Sequence, residues 1–156
     1  MRQRQRLPLP QNQIHQMSDN ISKRRRSQVM AKVRARGNAS TELRMIKLLR
    51  ENNVTGWRRH LPMPGTPDFA FRRARLALFI DGCFWHGCRR CYRAPKSNSE
   101  YWSRKVQRNR QRDRQISRQL VGAGWVVLRV KECWLKSPGR VIAVIKSACV
   151  RSMNLH

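Results

Sequence analysis

Carboxylates are scarce in this chain. Its 156 residues carry 8 Asp and Glu against 35 Lys and Arg, a formal net charge of +27. A single basic run reads as a solvated helix face, but a whole-chain excess of this size calls for a polyanion partner, first of all nucleic acid. Most of the cations are Arg, whose planar fork suits phosphates and base edges. Long apolar runs are missing too. None approaches membrane-spanning length, and no segment has the pattern of a secretory signal, so a membrane role is not expected beyond the lesser alternative of an anionic surface. The expected location is the cytoplasm. Five cysteines is an odd count, and Cys83, Cys88 and Cys91 fall within nine residues. In a reducing compartment such clustering favours metal over disulfides.

With 40% hydrophobic residues the chain can build one domain with a real core. Residues 1–17 are polar, aperiodic and proline-containing at the start, and are expected to be a disordered tail or an artefact of start-site choice. Residues 18–156 are expected to form a single domain. SDNISKRRRSQVMAKVRARG predicts a short basic helix ending at Gly37, with Arg24, Arg25 and Arg26 as candidate contacts to a phosphate backbone. NASTELRMIKLLRENN predicts a second helix, capped by Ser40 or Thr41, with Leu43, Met45, Ile46, Leu48 and Leu49 as its apolar stripe. Glu42, in its first turn, reads from the sequence alone as a helix-dipole partner.

GWRRHLP, DFAF and LALFIDG then predict strands, the last two joined by the basic turn RRAR as a hairpin. SEYWSRKVQRNRQRDRQISRQLVGAGW predicts a long helix stopped by Gly122 or Gly124. WVVLRVKEC predicts a strand ending at Cys133. Pro138 opens a last helix with Val141, Val144, Ile145 and Ala148 on one face. The order ααβββαβα, without internal repeats, predicts one α/β domain around a mixed sheet.

The few carboxylates mark the chemistry. Asp68 opens one strand and Asp81 closes the next, so both can reach one end of the sheet, where paired oxygen donors suit Mg²⁺ and a phosphodiester. By itself the spacing is loose, and alone it more often marks a chance match or two turn residues than a metal site. Cys83-x₄-Cys88-x₂-Cys91, with Cys133, supplies four thiolates for a closed structural zinc site. That leaves His86 free, while Cys149 reads as a core or surface thiol. On the long helix Trp102, Val106, Asn109, Asp113, Ile116 and Leu120 recur at steps of four and three, one continuous stripe. A carboxylate on that apolar face needs a partner. An arginine is one candidate; the other is His86, which a carboxylate would orient as a general base. Asn109 is a candidate backbone contact or supporting residue. Phe84, Trp85 and Trp102 either pack over the cysteines or wedge between bases.

Taken together, STELRMIKLL, LPMPGTPDFAF, LALFIDGCFWHGC, EYWSRKVQRNRQRD and GWVVLRVKEC resemble the very short patch repair endonucleases, bacterial enzymes that nick DNA at T·G mismatches. The resemblance runs from about Ser22 to Cys133. It implies a restriction-endonuclease-like fold of the PD-(D/E)xK type and hydrolysis of one phosphodiester 5′ to a thymine left by deamination of 5-methylcytosine. It implies Asp68 as the principal Mg²⁺ ligand beside the backbone carbonyl of Ile80, His86 as the base with Asp113 as its partner, and Glu42 at the active site in place of the dipole role. It also implies Phe84, Trp85 and Trp102 as an intercalating wedge, and Cys83, Cys88, Cys91 and Cys133 as zinc ligands. Asp81 sits where the family varies between Asp and His, so a Mg²⁺ role for it is drawn from its chemistry. Double-stranded DNA with a T·G mismatch is the expected partner of a monomer, in a setting that includes a cytosine-5 DNA methyltransferase and mismatch-repair proteins. The competing reading is a zinc-stabilised DNA-binding module without catalysis, which leaves Asp68, Asp81, His86 and Asp113 unexplained as a group.

Overall fold

The computed structural model describes residues 41–154. The basic helix expected over 18–37, with Arg24, Arg25 and Arg26, and the tail before it lie outside the described residues. From residue 42 onward the order of elements is the expected one: α1 (Glu42–Glu51), β1 (Trp57–Arg59), β2 (Phe69–Phe71), β3 (Leu76–Asp81), α2 (Ser99–Gly122), β4 (Val126–Lys131), a 3₁₀ turn (Glu132–Lys136) and α3 (Pro138–Met153).

The strands form a four-stranded mixed sheet in sequence order. β1 with β2 and β2 with β3 are antiparallel, while β3 and β4 run parallel. The tight turn after β2 carries the chain directly back into β3, as the basic RRAR turn predicts. A parallel return needs a crossover, and α2 supplies it. The helix ends where glycine permits a left-handed residue: Gly124 has φ +77°, and Trp125 N–H donates back to the Leu120 carbonyl at 2.9 Å.

Side chains alternate across a strand, so each face of the sheet has its own set. Leu76, Leu78 and Val130 join Phe69 and Phe71 in the larger core, against Met45, Leu48 and Leu49 of α1 and Val141, Ile142, Ile145 and Ala148 of α3. On the opposite face Ala77 and Phe79 meet Leu120, with Ile116, Trp125 and Val127 packed around them. α2 therefore covers this second face. Burial of Trp102, Val106, Asp113 and Leu120 confirms the predicted stripe.

Three details differ from expectation. Leu43 is 48% exposed, because α1 turns Glu42 inward beside Arg59 and so rotates Leu43 out. On α3, Ile142 takes the buried place expected of Val144. Strand β4 ends at Lys131, and Cys133 lies in the 3₁₀ turn after it. Thr41 occupies the N-cap of α1 without a side-chain capping bond. Among the described residues no helix is long and apolar enough to cross a membrane.

The loop ahead of Asp68 is fastened to α2 at Gly65. Its φ is +74°, and a Cβ there would lie 2.5 Å from Ile116 Cγ2 and 3.3 Å from Phe79 Cε1. Gly65→Ala combines a left-handed backbone with overpacking and should lower stability by about 2–4 kcal/mol. Urea unfolding measures this directly, and an unchanged midpoint would mean that the loop is not pinned.

Candidate active site

The second face of the sheet changes character along its length. Ala77 and Phe79 on β3, and Val127 on β4, are apolar. Further along the same face come Asp81 on β3 and Arg129 and Lys131 on β4, with Lys131 in register opposite Asp81. α2 follows the same gradient, from Leu120 and Ile116 to Asp113. Burying these charges is tolerable only if each is paired. Arg129 donates to Asp81 through Nε at 3.1 Å and Nη2 at 2.7 Å, Lys131 Nζ reaches Asp81 Oδ2 at 2.8 Å, and Arg129 Nη2 reaches Asp113 Oδ1 at 2.9 Å. Burial opposes ionisation of Asp81, but hydrogen bonds from Arg129 and Lys131, with the charge of Arg129, hold its carboxyl below the ordinary 3.8.

His86 enters this cluster from the loop after β3. Its Nδ1 lies 2.5 Å from Asp113 Oδ2 and 3.7 Å from Asp81 Oδ1. A carboxylate only accepts, so Nδ1 carries the hydrogen, and in the neutral imidazole Nε2 is then the nitrogen with the lone pair. The loop is held by α2: Asn109 Nδ2 donates to the Trp85 carbonyl at 2.8 Å, and Arg110 donates to the carbonyls of His86 and Gly87. Asn109 thus supports the loop. Arg89, Arg110 and Arg114 join Asp81, His86, Asp113, Arg129 and Lys131 around one open pocket of about 380 Å³.

Asp68 lies on the neighbouring strand edge, where Ile80 N–H donates to its Oδ2 at 2.6 Å. Burial pushes the Asp68 carboxyl above the ordinary 3.8; the Ile80 N–H and His60 oppose the rise, and the charges of Glu42 and Asp81 add to it. Glu42 is 3% exposed, bonded to Arg59 and 3.3 Å from His60 Nε2. It is therefore an inward-facing member of the Asp68 neighbourhood, not merely a dipole partner at a helix end. Asp68 and Asp81 do approach the same end of the sheet. They are not a matched pair of open oxygen donors, however, because both oxygens of Asp81 already accept from Arg129 and Lys131.

Cys83, Cys88, Cys91 and Cys133 converge, with their sulfurs all within 4.8 Å of one another. Cys133 N–H donates to Cys83 Sγ at 3.3 Å, and Glu132 Oε2 accepts from Cys83 N–H at 3.2 Å. Burial raises the Cys83 and Cys133 thiols. Burial also acts on Cys88, but the Arg90 and Cys91 N–H groups and the thiols of Cys133 and Cys83 bring it down to about 7. Cys149, half-buried on α3, is packed against the core and stands apart from this group.

The aromatics flank the cysteines. Phe84 stacks edge-on against both Trp85 (5.2 Å between centroids) and Trp102 (5.1 Å), and Tyr92 and Tyr101 extend the cluster. Phe84 and Trp85 are half-buried, while Trp102 is 8% exposed and forms their backing.

Sequence reasoning passed over His60, Arg129, Lys131 and Glu132. For Arg129 and Lys131 a signal existed: they alternate with Leu128 and Val130 in a strand covered on both faces, where a charge needs a partner. His60 had none, since its place depends on a left-handed backbone (φ +48°) at the end of β1.

A family model described as DNA mismatch endonuclease Vsr matches residues 18–93. The type II nicking enzyme V.XorIIP of Xanthomonas oryzae pv. oryzae is 39% identical over 136 residues, covering 84% of this chain and 96% of that protein. The DNA mismatch endonuclease Vsr of Escherichia coli K12 is 35% identical over 122 residues, 77% of each chain. The type II nicking enzyme V.NaeI of Lentzea aerocolonigenes reaches 52% identity over 66 residues, 42% of this chain and 40% of that protein.

The Asp81 pairs give the site a defined acid response. Its carboxyl titrates lower in the fold than in the open chain, so its stabilisation is full above 3.8 and is lost as pH falls through the lower folded value. Asp81→Asn should cost about 2–3 kcal/mol at pH 7, less than a fully buried pair because Arg129 and Lys131 reach solvent. Urea titrations across pH should show the two proteins converging in strong acid; a difference that stays constant with pH would contradict the pairing.

Proposed function

The chain belongs to the Vsr family of DNA mismatch endonucleases, and from that premise we propose that it nicks one strand of duplex DNA on the 5′ side of the mispaired thymine in a T·G mismatch. The observation that carries this is the His86–Asp113 pair, 2.5 Å apart, in a pocket lined by cations, with half-buried Asp68 just ahead of the neighbouring strand.

Asp113 holds the hydrogen of His86 on Nδ1, so Nε2 can take the proton of a water attacking phosphorus. Arg89, Arg110 and Arg114 line the pocket, where their charge suits a phosphate. Asp68 fits a divalent cation: a half-buried carboxylate crowded by Glu42 and Asp81 is short of positive charge. Asp68, with the Ile80 carbonyl, would hold Mg²⁺, which when bound supplies charge to the phosphodiester oxygens. Asp81 is not among the ligands proposed here, since Arg129 and Lys131 already neutralise it. Glu42 and His60 hold one another and Arg59 around the Asp68 carboxylate. Phe84 and Trp85, on a loop fixed by α2 and backed by Trp102, are suited to wedge into a base step weakened by mispairing.

The four cysteines fit zinc. A ZnS₄ tetrahedron with bonds of about 2.3 Å has sulfur–sulfur edges of about 3.8 Å, and Cys88 Sγ lies 3.8 Å from Cys133 Sγ. Zinc there would tie the His86 loop to the end of β4.

The wild-type chain should nick a T·G duplex in low salt with Mg²⁺, and an intact duplex after prolonged incubation would end the proposal. His86→Ala should lower kcat by about 10²–10⁴-fold. Asp68→Asn should lose nicking and keep DNA affinity. Its metal-free thermal stability should hold or rise at neutral pH, since a carboxyl with a raised folded pKa destabilises the fold when ionised.

For the cysteines, atomic absorption should find one zinc per wild-type chain and a loss of metal in Cys133→Ser, accompanied by a lower melting temperature. Equal zinc content in the two proteins would exclude Cys133 from the set.

A further inference from the structure

We propose that Arg129 is a positioning residue for the His86–Asp113 pair, with Asp81 and Lys131 as its anchor. The inference rests on the reading of His86 as the base.

The argument starts in the sheet. Arg129 lies in register opposite Phe79, and its guanidinium sits 4.6 Å over that ring. The stack fixes the height of the fork above the sheet. From there Nε and Nη2 take both oxygens of Asp81, at 3.1 and 2.7 Å, and Lys131 binds Asp81 Oδ2 from the other side at 2.8 Å. Asp81 is thereby a fixed post. Nη2 also reaches Asp113 Oδ1 at 2.9 Å. The remaining nitrogen, Nη1, is buried without a hydrogen-bond partner, so the polar contacts of Arg129 in the cluster, hydrogen bonds to Asp81 and an ion pair with Asp113, all go to these two carboxylates.

This geometry does two things for His86. It fixes Asp113 from behind: Oδ1 is bound by Arg129, which leaves Oδ2 facing His86 Nδ1 at 2.5 Å. It also restrains a rival. Asp81 Oδ1 is only 3.7 Å from the same Nδ1, near enough to capture the imidazole if it were free to turn. One guanidinium nitrogen holds both Oδ1 atoms, at 2.7 and 2.9 Å, and so determines which carboxylate the imidazole faces. Lysine, a point charge without a fork, can meet one of these demands but not both. Partners one step behind a reacting group commonly change activity by about 10–100-fold.

The test compares Arg129→Met and Arg129→Lys with wild type and Asp113→Asn, in full-length protein on a T·G duplex with Mg²⁺. Arg129→Met should lower kcat by about 10–100-fold while KM and DNA affinity stay within about twofold. Arg129→Lys, which keeps a cation beside Asp81 and guards against a variant that does not fold, should match wild-type melting yet nick at a rate between the two. Combined with Asp113→Asn, Arg129→Met should add little further loss. Independently of activity, the low-field proton signal of His86 Nδ1–H should persist in wild type, move or vanish in Arg129→Met, and vanish in Asp113→Asn. Wild-type kcat and an unmoved proton in Arg129→Met, with Asp113→Asn inactive, would overturn the inference alone. A loss confined to KM would do the same. Full nicking by Asp113→Asn would instead remove the reading of the pair, and the inference with it.

Discussion

The parallel pairing of β3 with β4 is the constraint on which the site depends. It sets Phe79 opposite Arg129 and Asp81 opposite Lys131. Because residues two apart share a face, Phe79, Asp81, Arg129 and Lys131 all point toward α2. A shift of register by one residue would turn these charges into the core of Phe69, Leu78 and Ile145 and bring Leu128 and Val130 out to the site. The apolar half of each strand therefore specifies the position of the charged half. The same parallel connection demands a crossover, and that crossover is the helix that brings Asn109, Arg110 and Asp113 over the end of the sheet.

The segment from Gly82 to Tyr92 is held from several sides. α2 donates to the carbonyls of Trp85, His86 and Gly87. Glu132 accepts from the Cys83 N–H, and Cys133 donates its own N–H to Cys83 Sγ. Gly87 has φ +58°, and a Cβ there would lie 2.5 Å from Val106 Cγ1, so the loop can approach the helix only with glycine at this point. The contacts fall on residues adjacent to His86 and between the aromatics and the cysteines. Phe84 and Trp85, the imidazole and the thiols are consequently tied to one support.

The elements were legible in the sequence because hydrophobic period and turn chemistry agreed. LALFIDG and WVVLRVKEC are apolar runs bounded by polar stops, and the four-three spacing from Trp102 to Leu120 identified the buried face of α2, Asp113 included. Two explanations were open for Asp113, an arginine or His86, and the structure satisfies both at once through the two oxygens of one carboxylate. Sequence spacing gives a residue's face but not how many partners it has there. Asp81 illustrates the same limit: its place at the end of a strand was readable, whereas its neutralisation depends on two cations 48 and 50 residues away. Leu43 was misplaced for a related reason. A helix stripe is read from its apolar residues, and here a buried Glu42 claims the inward position instead.

The scarcity of acid acquires a meaning from this arrangement. Of the 8 acidic residues, Glu42, Asp68, Asp81, Asp113 and Glu132 gather at one end of the sheet. Glu51 and Glu100 are in exposed pairs with Lys47 and Arg104, and Asp19 lies before the described residues. A chain that must approach a polyanion gains nothing from surface carboxylates, which repel phosphate and weaken its field. Acid is kept where it has specific work: accepting from a backbone N–H, orienting an imidazole, or offering oxygen to a cation. Each such group still presents a negative charge where a phosphate would sit. The cations threaded through the cluster, Arg59 at Glu42, Arg129 and Lys131 at Asp81, and Arg129 again at Asp113, answer that repulsion locally. Asp68 differs, with its carboxyl raised by burial and by the charges of Glu42 and Asp81. Where Glu42, Asp81 and Asp113 are ion-paired, Asp68 fits the proposed divalent cation, which would relieve that carboxylate and supply positive charge to a phosphodiester.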